Sequence, residues 1–463
     1  MITAMIDLTS TKKNKITLSD YDYKKDILSR LLLSNLNSDE ASVLEELLFS
    51  PIKTSVAKIS KTTAIPQEII LQTLSRLAPS GLVEIEGDLV TVDKEMRKYF
   101  EREFERFSSD FEPGMEFIQL LLKKVPIHIL PLWYAIPRMT NNIFESVVER
   151  YLQTPYIYQR HLSEIQFPTP VFSAITQDLL KSPSFELSLE DIAYKYGLSD
   201  EDLQELLLHL EFNFIGTVIY RKEEDEWKGI LTLFQEWKNY LTFLKVTAPE
   251  PILEVQEIEK IRPLEFSFVE DLTMLCKCIK KEHSLKKEDV TPALFVAPFP
   301  SKSYLETLLS RGKALNLIRE DNDHYVVTET GIEWLDLRVE NKSLYLYRHP
   351  PIHALSQRFS FTVPEKMVRE IEKSVIKILH SGWVYLDAFL KGVHAPLKED
   401  QMVILCKAGR MWKYPLPAYS LEELQLITAV LTEHLFESGL IMVGHFKGKL
   451  CLSLTAFGQS FFG

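Results

Sequence analysis

The densest chemistry in this 463-residue chain lies near its carboxyl end. There Lys407-Ala408-Gly409-Arg410-Met411-Trp412-Lys413-Tyr414 interleaves cations with aromatic rings. Rings can stack on bases while cations meet phosphates, so this mixture suits a nucleic-acid surface. Two more lysines, Lys447 and Lys449, flank Gly448. The candidate contact set is Lys407, Arg410, Trp412, Lys413, Lys447 and Lys449. The competing reading makes Trp412 and Tyr414 core anchors and the lysines ordinary solvated residues. A weaker basic group, Lys277, Lys280, Lys281, Lys286 and Lys287, is diluted by Glu282, Glu288 and Asp289.

Other chemistries fail on spacing. Cys276 and Cys278 are two apart, so on a helix they point to different faces and do not converge on one metal ion. Cys276 instead shares its spacing with Leu272, Leu275 and Ile279, which is a packing pattern. His349 and His353 are four apart, but Pro350 and Pro351 rule out a helical ligand pair. Gly444-His445-Phe446-Lys447-Gly448-Lys449-Leu450 lacks one spacer of a phosphate loop, and Leu450 stands where a Ser or Thr would hold magnesium. No GxSxG, HExxH, GxGxxG or EF-hand pattern occurs. The sequence therefore assigns no catalytic residue, no metal ligand, no cofactor and no small-molecule substrate, and a non-enzymatic protein is expected.

Composition bounds the rest. With 46% apolar and 25% charged residues the chain reads as globular, and its length implies three or four domains. Its longest apolar run, Ile127 to Pro137, contains His128 and Pro131 and is too short for a membrane span. Lys12, Lys13 and Lys15 precede no apolar stretch, so no secretory signal is read. Four scattered cysteines give no disulfide framework. A cytoplasmic protein without a membrane partner is expected. Lys and Arg number 53 against 65 Asp and Glu, a net charge of −12, which argues against non-specific coating of nucleic acid but not against one basic face.

A polar arm with a short helix at Leu28, Leu31, Leu32 and Leu33 occupies 1–37. Ser38 can cap a helix carrying Val43, Leu44, Leu47 and Leu48. Short helices around Val56 to Ile59 and Ile69 to Leu77 follow. Gly81 stops the last, and Leu82 to Ile85 and Leu89 to Val92 alternate like two strands around Gly87-Asp88. Three helices and a two-stranded wing form the winged variant of the helix-turn-helix. The expected class is thus mainly α with small β wings, arranged as tandem winged-helix modules. Module 1 covers 38–110, a helical connector 111–165, module 2 166–246, module 3 252–340, an extended connector 341–364 and module 4 365–463. Thr247-Ala248-Pro249-Glu250-Pro251 is the clearest linker.

The repeat is sharpest in the carboxyl-terminal half. Leu308-Leu309-Ser310-Arg311-Gly312 and Leu435-Phe436-Glu437-Ser438-Gly439 each end a helix. Gly312 lies 16 residues before Thr328 and 19 before Gly331, and Gly439 stands at the same offsets from Thr455 and Gly458. Gly suits the left-handed residue after a helix, and Thr suits a cap after the wing. The pattern from Leu435 to Gly458 resembles the helicase-associated winged-helix region at the amino terminus of XPB-type DNA helicases. That resemblance implies an accessory role near DNA-repair or transcription machinery. The motor itself is missing, with no Walker A and no Asp-Glu-x-His box.

A DNA-reading winged helix presents donors and cations from its third helix. In module 1 the residues expected outward are Gln67, Glu68, Gln72, Thr73, Ser75 and Arg76, nearly neutral. In module 2 they are Asp200, Glu201, Asp202, Gln204 and Glu205, which repel phosphate. Two functions follow: an accessory protein touching nucleic acid through module 4, or a scaffold for protein partners without nucleic-acid contact.

Overall fold

Helix starts are set by side chains that hold the free N–H groups of a first turn. Asn37 accepts from the Glu40 amide while the Glu40 carboxylate accepts from Asn37, so the cap sits one residue before the expected Ser38. Ser420 and Glu423 repeat this reciprocal arrangement, and Ser55, Ser188 and Ser199 cap later helices by accepting one backbone N–H each. The computed structural model describes residues 16–140, 142–224, 226–295, 302–409 and 411–463. It is mainly helical with small antiparallel sheets.

One arrangement recurs four times. Helix Ser38–Phe49, strand Lys53–Ser55, helices Val56–Thr63 and Gln67–Leu77 and a hairpin of Val83–Glu86 with Leu89–Val92 form the first repeat. Its early strand pairs with the last one, Lys53 opposite Thr91. The second repeat runs through Pro170–Lys181, Glu186–Ser188, Leu189–Tyr196, Asp200–Phe212 and a longer hairpin, Gly216–Glu223 with Glu226–Leu233. Again the early strand meets the last, Glu186 opposite Thr232. The third runs from Ser267–Lys281 through Leu285–Lys286 to Lys302–Ala314, then Ile318–Asp321 and His324–Val327. Among its described residues, turns Lys287–Asp289 and Pro292–Leu294 stand where the others have a second helix. The fourth has Glu365–Lys373, Val384–Tyr385, Leu386–Lys391, Leu421–Ala429 continued as a π-helical turn Val430–Leu435, and the hairpin Ile441–Phe446 with Lys449–Leu454. Val384 lies opposite Leu452.

Contacts divide the chain into two compact units. The first contains the chain up to Tyr240 together with Ile404–Tyr414; the second contains Leu241–Val403 and Pro415–Gly463. The boundary therefore falls inside helix Gln235–Val246 and not at the Thr247 to Pro251 linker. In the second unit the third and fourth repeats each own an apolar core, the former around Leu272, Cys276 and Trp334, the latter around Phe389, Leu431 and Leu452.

Several expectations need correction. Residues 1–15 of the expected polar arm lie outside the described residues, and its short helix is Tyr23–Ser34, which is packed into the first unit. It buries Asp26, Ile27, Arg30 and Leu33, and leaves Leu28 65% exposed. The 341–364 connector is largely helical, with Val339–Arg348 and Ile352–Ser356, because the two prolines break the helix only at 350–351.

The Thr-x-x-Gly pattern has a common geometry in both places. Thr328 and Thr455 cap the helix after the hairpin, accepting from the Gly331 and Gly458 amides at 3.0 and 2.8 Å. Their own amides donate to Leu317 and Leu440, both at 3.1 Å, just before the hairpin begins. A Cβ on Gly331 or Gly458 would meet that same carbonyl oxygen at 2.1 Å, so only glycine lets the helix close down on it. The equal upstream offsets have another origin. Gly312 lies inside helix Lys302–Ala314, and the left-handed residue is Asn316, at φ 54°. Gly439 is left-handed, at φ +68°. The third repeat's hairpin strands have four residues each and the fourth's have six, and this difference hides the shift.

Candidate nucleic-acid interface

Cys406–Ala408 pairs with Met411–Lys413 as a two-stranded ribbon, and Gly409 after the first strand is left-handed. Arg410 lies outside the described residues. Lys407 pairs across with Trp412, and Cys406 with Lys413. Successive strand residues face opposite ways, so Lys407 and Trp412 share one face while Lys413 is on the other. The two cations therefore do not converge. Lys407 stands 3.5 Å from Glu116, both well exposed. Trp412 is half-buried and meets the Phe144 ring edge-on at 6.0 Å. Tyr414 is buried and its hydroxyl donates to the Leu152 carbonyl at 2.5 Å. The aromatic members are thus anchors and not free stacking platforms.

Lys447 and Lys449 belong to the second unit, whereas the ribbon belongs to the first. The described candidates thus divide between the two units, Lys407, Trp412 and Lys413 in the first and Lys447 and Lys449 in the second. Lys447 is the left-handed turn residue of its hairpin and lies over the Phe446 ring. Lys449 is 3.6 Å from Asp387 and covers Tyr385.

The third helices tell the same story. In Gln67–Leu77, Thr73 is buried and donates to the Ile69 carbonyl, and Arg76 is bound by Glu40. Gln67, Glu68, Gln72 and Ser75 remain exposed. In Asp200–Phe212 the exposed residues Asp200, Glu201, Asp202 and Glu205 lie in the first turns. Gln204 is buried, and Leu206 through Phe212 are buried without interruption. That second half, covered on every side, cannot enter a groove, and the exposed first turns carry acids that repel phosphate. Leu421–Ala429 exposes Leu421 and Gln425 but buries Glu423, held by Ser420 and Lys398.

No protein-family model matches the chain, and no curated protein does. Among the described residues no helix is long and apolar enough to cross a membrane. No group of three or more His, Cys, Asp or Glu among them could hold a metal ion. Cys276 is buried in the third repeat's core.

The polar cluster that the sequence did not disclose lies inside the first unit. Arg30 grips Glu211 with both terminal nitrogens at 3.1 and 2.6 Å. Arg106 reaches Glu211 at 2.9 Å and Glu103 at 2.9 Å. Lys124 joins Glu103 at 2.6 Å to Asp26 at 3.0 Å, and Tyr99 donates to Asp26. Three cations balance three carboxylates, and all but Lys124 are almost fully buried. Burial would raise these acids, but the neighbouring cations outweigh it: Glu211 falls to about 2, and Asp26 and Glu103 are lowered as well. A catalytic acid or base sits near its working pH; these groups are driven away from it. The cluster fastens helix Tyr23–Ser34, helix Lys94–Phe104 and the third helix of the second repeat.

A second buried group joins the third and fourth repeats. Arg311 lies 2.8 Å from Glu437 and donates to the His349 carbonyl at 2.6 Å. His434 meets Glu372 at 2.9 Å. Burial pushes Glu437 up to about 7 against the pull of Arg311.

Proposed function

We propose that the protein is a non-enzymatic scaffold of tandem winged-helix modules that binds protein partners. The order helix, strand, helix, helix, hairpin, with the early strand added to the hairpin, supports the winged-helix reading. The observation that carries the scaffold reading is the third helix of the second repeat, acidic where exposed and buried elsewhere. The first turns, which read bases in a DNA-binding winged helix, carry Asp200, Glu201, Asp202 and Glu205 here, and the rest of the helix is buried. The resemblance of Leu435 to Gly458 to the helicase-associated region fits a partner within repair or transcription machinery. A cytoplasmic setting fits the four free thiols.

A nucleic-acid role keeps one specific support, the exposed Lys447 and Lys449 at a hairpin end. Fluorescence anisotropy with labelled duplex and single-stranded DNA at low ionic strength separates the readings. The scaffold reading expects no saturable binding. Binding that weakens with salt, with a slope near about −2 for two lysines, and that is lost in Lys447→Gln/Lys449→Gln would replace it. Cross-linked capture from the source cells is expected to yield a stoichiometric protein partner.

A further inference from the structure

The ribbon 404–414 is held by little. Its strand residues are exposed or half-buried, and among its described residues only Leu405 and Tyr414 at its ends are buried. A lone two-stranded hairpin is marginal in water. Besides the exposed Lys407–Glu116 pair and the half-buried Trp412 ring against Phe144, two hydrogen bonds fix its described ends: the Leu405 amide to the Gln153 carbonyl at 2.7 Å, and the Tyr414 hydroxyl to the Leu152 carbonyl. Both acceptors lie where the π-helical turn Val148–Leu152 gives out and Pro155, with no N–H, begins the next helix. The last carbonyls of a helix lack internal donors, so this site asks for donors from elsewhere.

Beneath the ribbon lies an aromatic and aliphatic seat made by Met115, Ile118, Tyr158, Phe214 and Trp237, with the Glu236 carboxylate at its edge. Tyr414 lies 5.9 Å from Tyr240, ring to ring, at the rim. About 10 Å³ of space remains under Leu405 and Tyr414. Glu236 accepts from the Met115 amide with one oxygen at 2.9 Å. Its other oxygen and the Trp237 indole nitrogen are buried and meet no hydrogen-bond partner among the described residues. The ribbon fills the apolar part of the seat and leaves its polar atoms unanswered.

We propose that this seat is a docking groove for an extended segment of a protein partner, one presenting a branched aliphatic side chain and a tyrosine. The chain's own 404–414 ribbon is its displaceable resident. The chemistry of the occupant is read from the resident: an aliphatic side chain and a phenol that fill the seat, an amide and a hydroxyl that answer the two carbonyls. A partner that also offers a donor to Glu236 and an acceptor to Trp237 makes bonds the ribbon lacks. The word partner rests on the scaffold reading, but the groove itself does not.

The test uses a fluorescein-labelled synthetic peptide of residues 403–416, with Cys406→Ser to prevent oxidation. Its binding is measured to the full chain and to the full chain carrying Leu405→Ala and Tyr414→Ala. The vacated variant is expected to bind it at least roughly tenfold more tightly than the unaltered chain, in which the tethered ribbon competes at high effective concentration. The same peptide with Tyr414→Ala is expected to lose that binding. Equal binding to both chains, or none to a variant that still unfolds cooperatively, overturns the proposal. Hydrogen exchange on the unaltered chain covers the case of a variant that does not fold. The Leu405 amide is expected to exchange roughly a hundredfold faster than the paired amides of Gly216–Glu223. Equal protection means the ribbon does not leave and also overturns the proposal. Salt-dependent DNA binding in the anisotropy assay would sink the scaffold reading while leaving the peptide result intact.

Discussion

Glu211 shows what one residue carries. Its carboxylate is fully buried and faces Arg30 and Arg106 together. Truncating one member of a buried pair leaves uncompensated charge, at a cost of about 3–5 kcal/mol. Glu211→Ala is therefore expected to lower the unfolding free energy by that amount, read as a fall in the urea midpoint at unchanged slope. Lys449→Ala, at an exposed pair, is expected to change stability by less than about 0.5 kcal/mol. The cluster was scarcely legible in the sequence. Arg30 and its partner are 181 positions apart, and each looks like an ordinary surface charge in its own helix. One signal was available: His209 and Glu211 interrupt Leu206-Leu207-Leu208 and Leu210, a second half of the helix otherwise apolar on every side.

At the scale of elements, the carboxyl-terminal repeat was readable because capping and close approach demand particular residues. Thr328 with Gly331 and Thr455 with Gly458 were found from sequence, and each pair holds a helix onto the start of its hairpin. Gly458→Ala is expected to lose about 1–3 kcal/mol as the backbone at Leu440 yields to the new methyl group. Thr455→Val is expected to lose about 1 kcal/mol with its cap. Gly312→Ala falls inside a helix, where alanine is favoured by about 1 kcal/mol, so its net effect is expected to be smaller than that of Gly458→Ala. Thermal unfolding of the three variants checks this order. Gly312 was misread because sequence spacing counts residues without showing which one turns left-handed. The segment 404–414 was read as part of module 4 for another reason: composition shows cations and rings but not which body they join.

Over the whole molecule, buried ionisable groups fix how stability follows pH. Glu236 and Glu437 are pushed up to about 7 by burial, so each holds its proton more tightly when folded. Their contribution is complete at low pH and is lost as pH rises through about 7. His161 and His209 are pushed down to about 4, also by burial, and His394 and His434 are lowered. Their contribution is present above about 6.5 and is lost as pH falls toward 4. Below about 4.5 the stabilisation from Glu211 is lost too, as its carboxylate is protonated on the way down to about 2. Urea midpoints are therefore expected to peak near about pH 6.5 and fall on both sides. A mainly helical chain with small hairpins was legible at this scale, because helical spacing and turn residues are local. The division at Tyr240 and the return of 404–414 were not, because they depend on contacts far apart in sequence.

That return has a consequence for synthesis. The first unit leaves the ribosome up to Tyr240, but its last segment arrives only with Ile404. At about 5–20 residues per second, the interval is on the order of ten to thirty seconds. For that time the nascent first unit carries an unfilled aromatic seat, the kind of surface that chaperones bind and that aggregation exploits. Messenger features that slow translation between those two points would lengthen the exposure, and with it the opportunity for another polypeptide to arrive first.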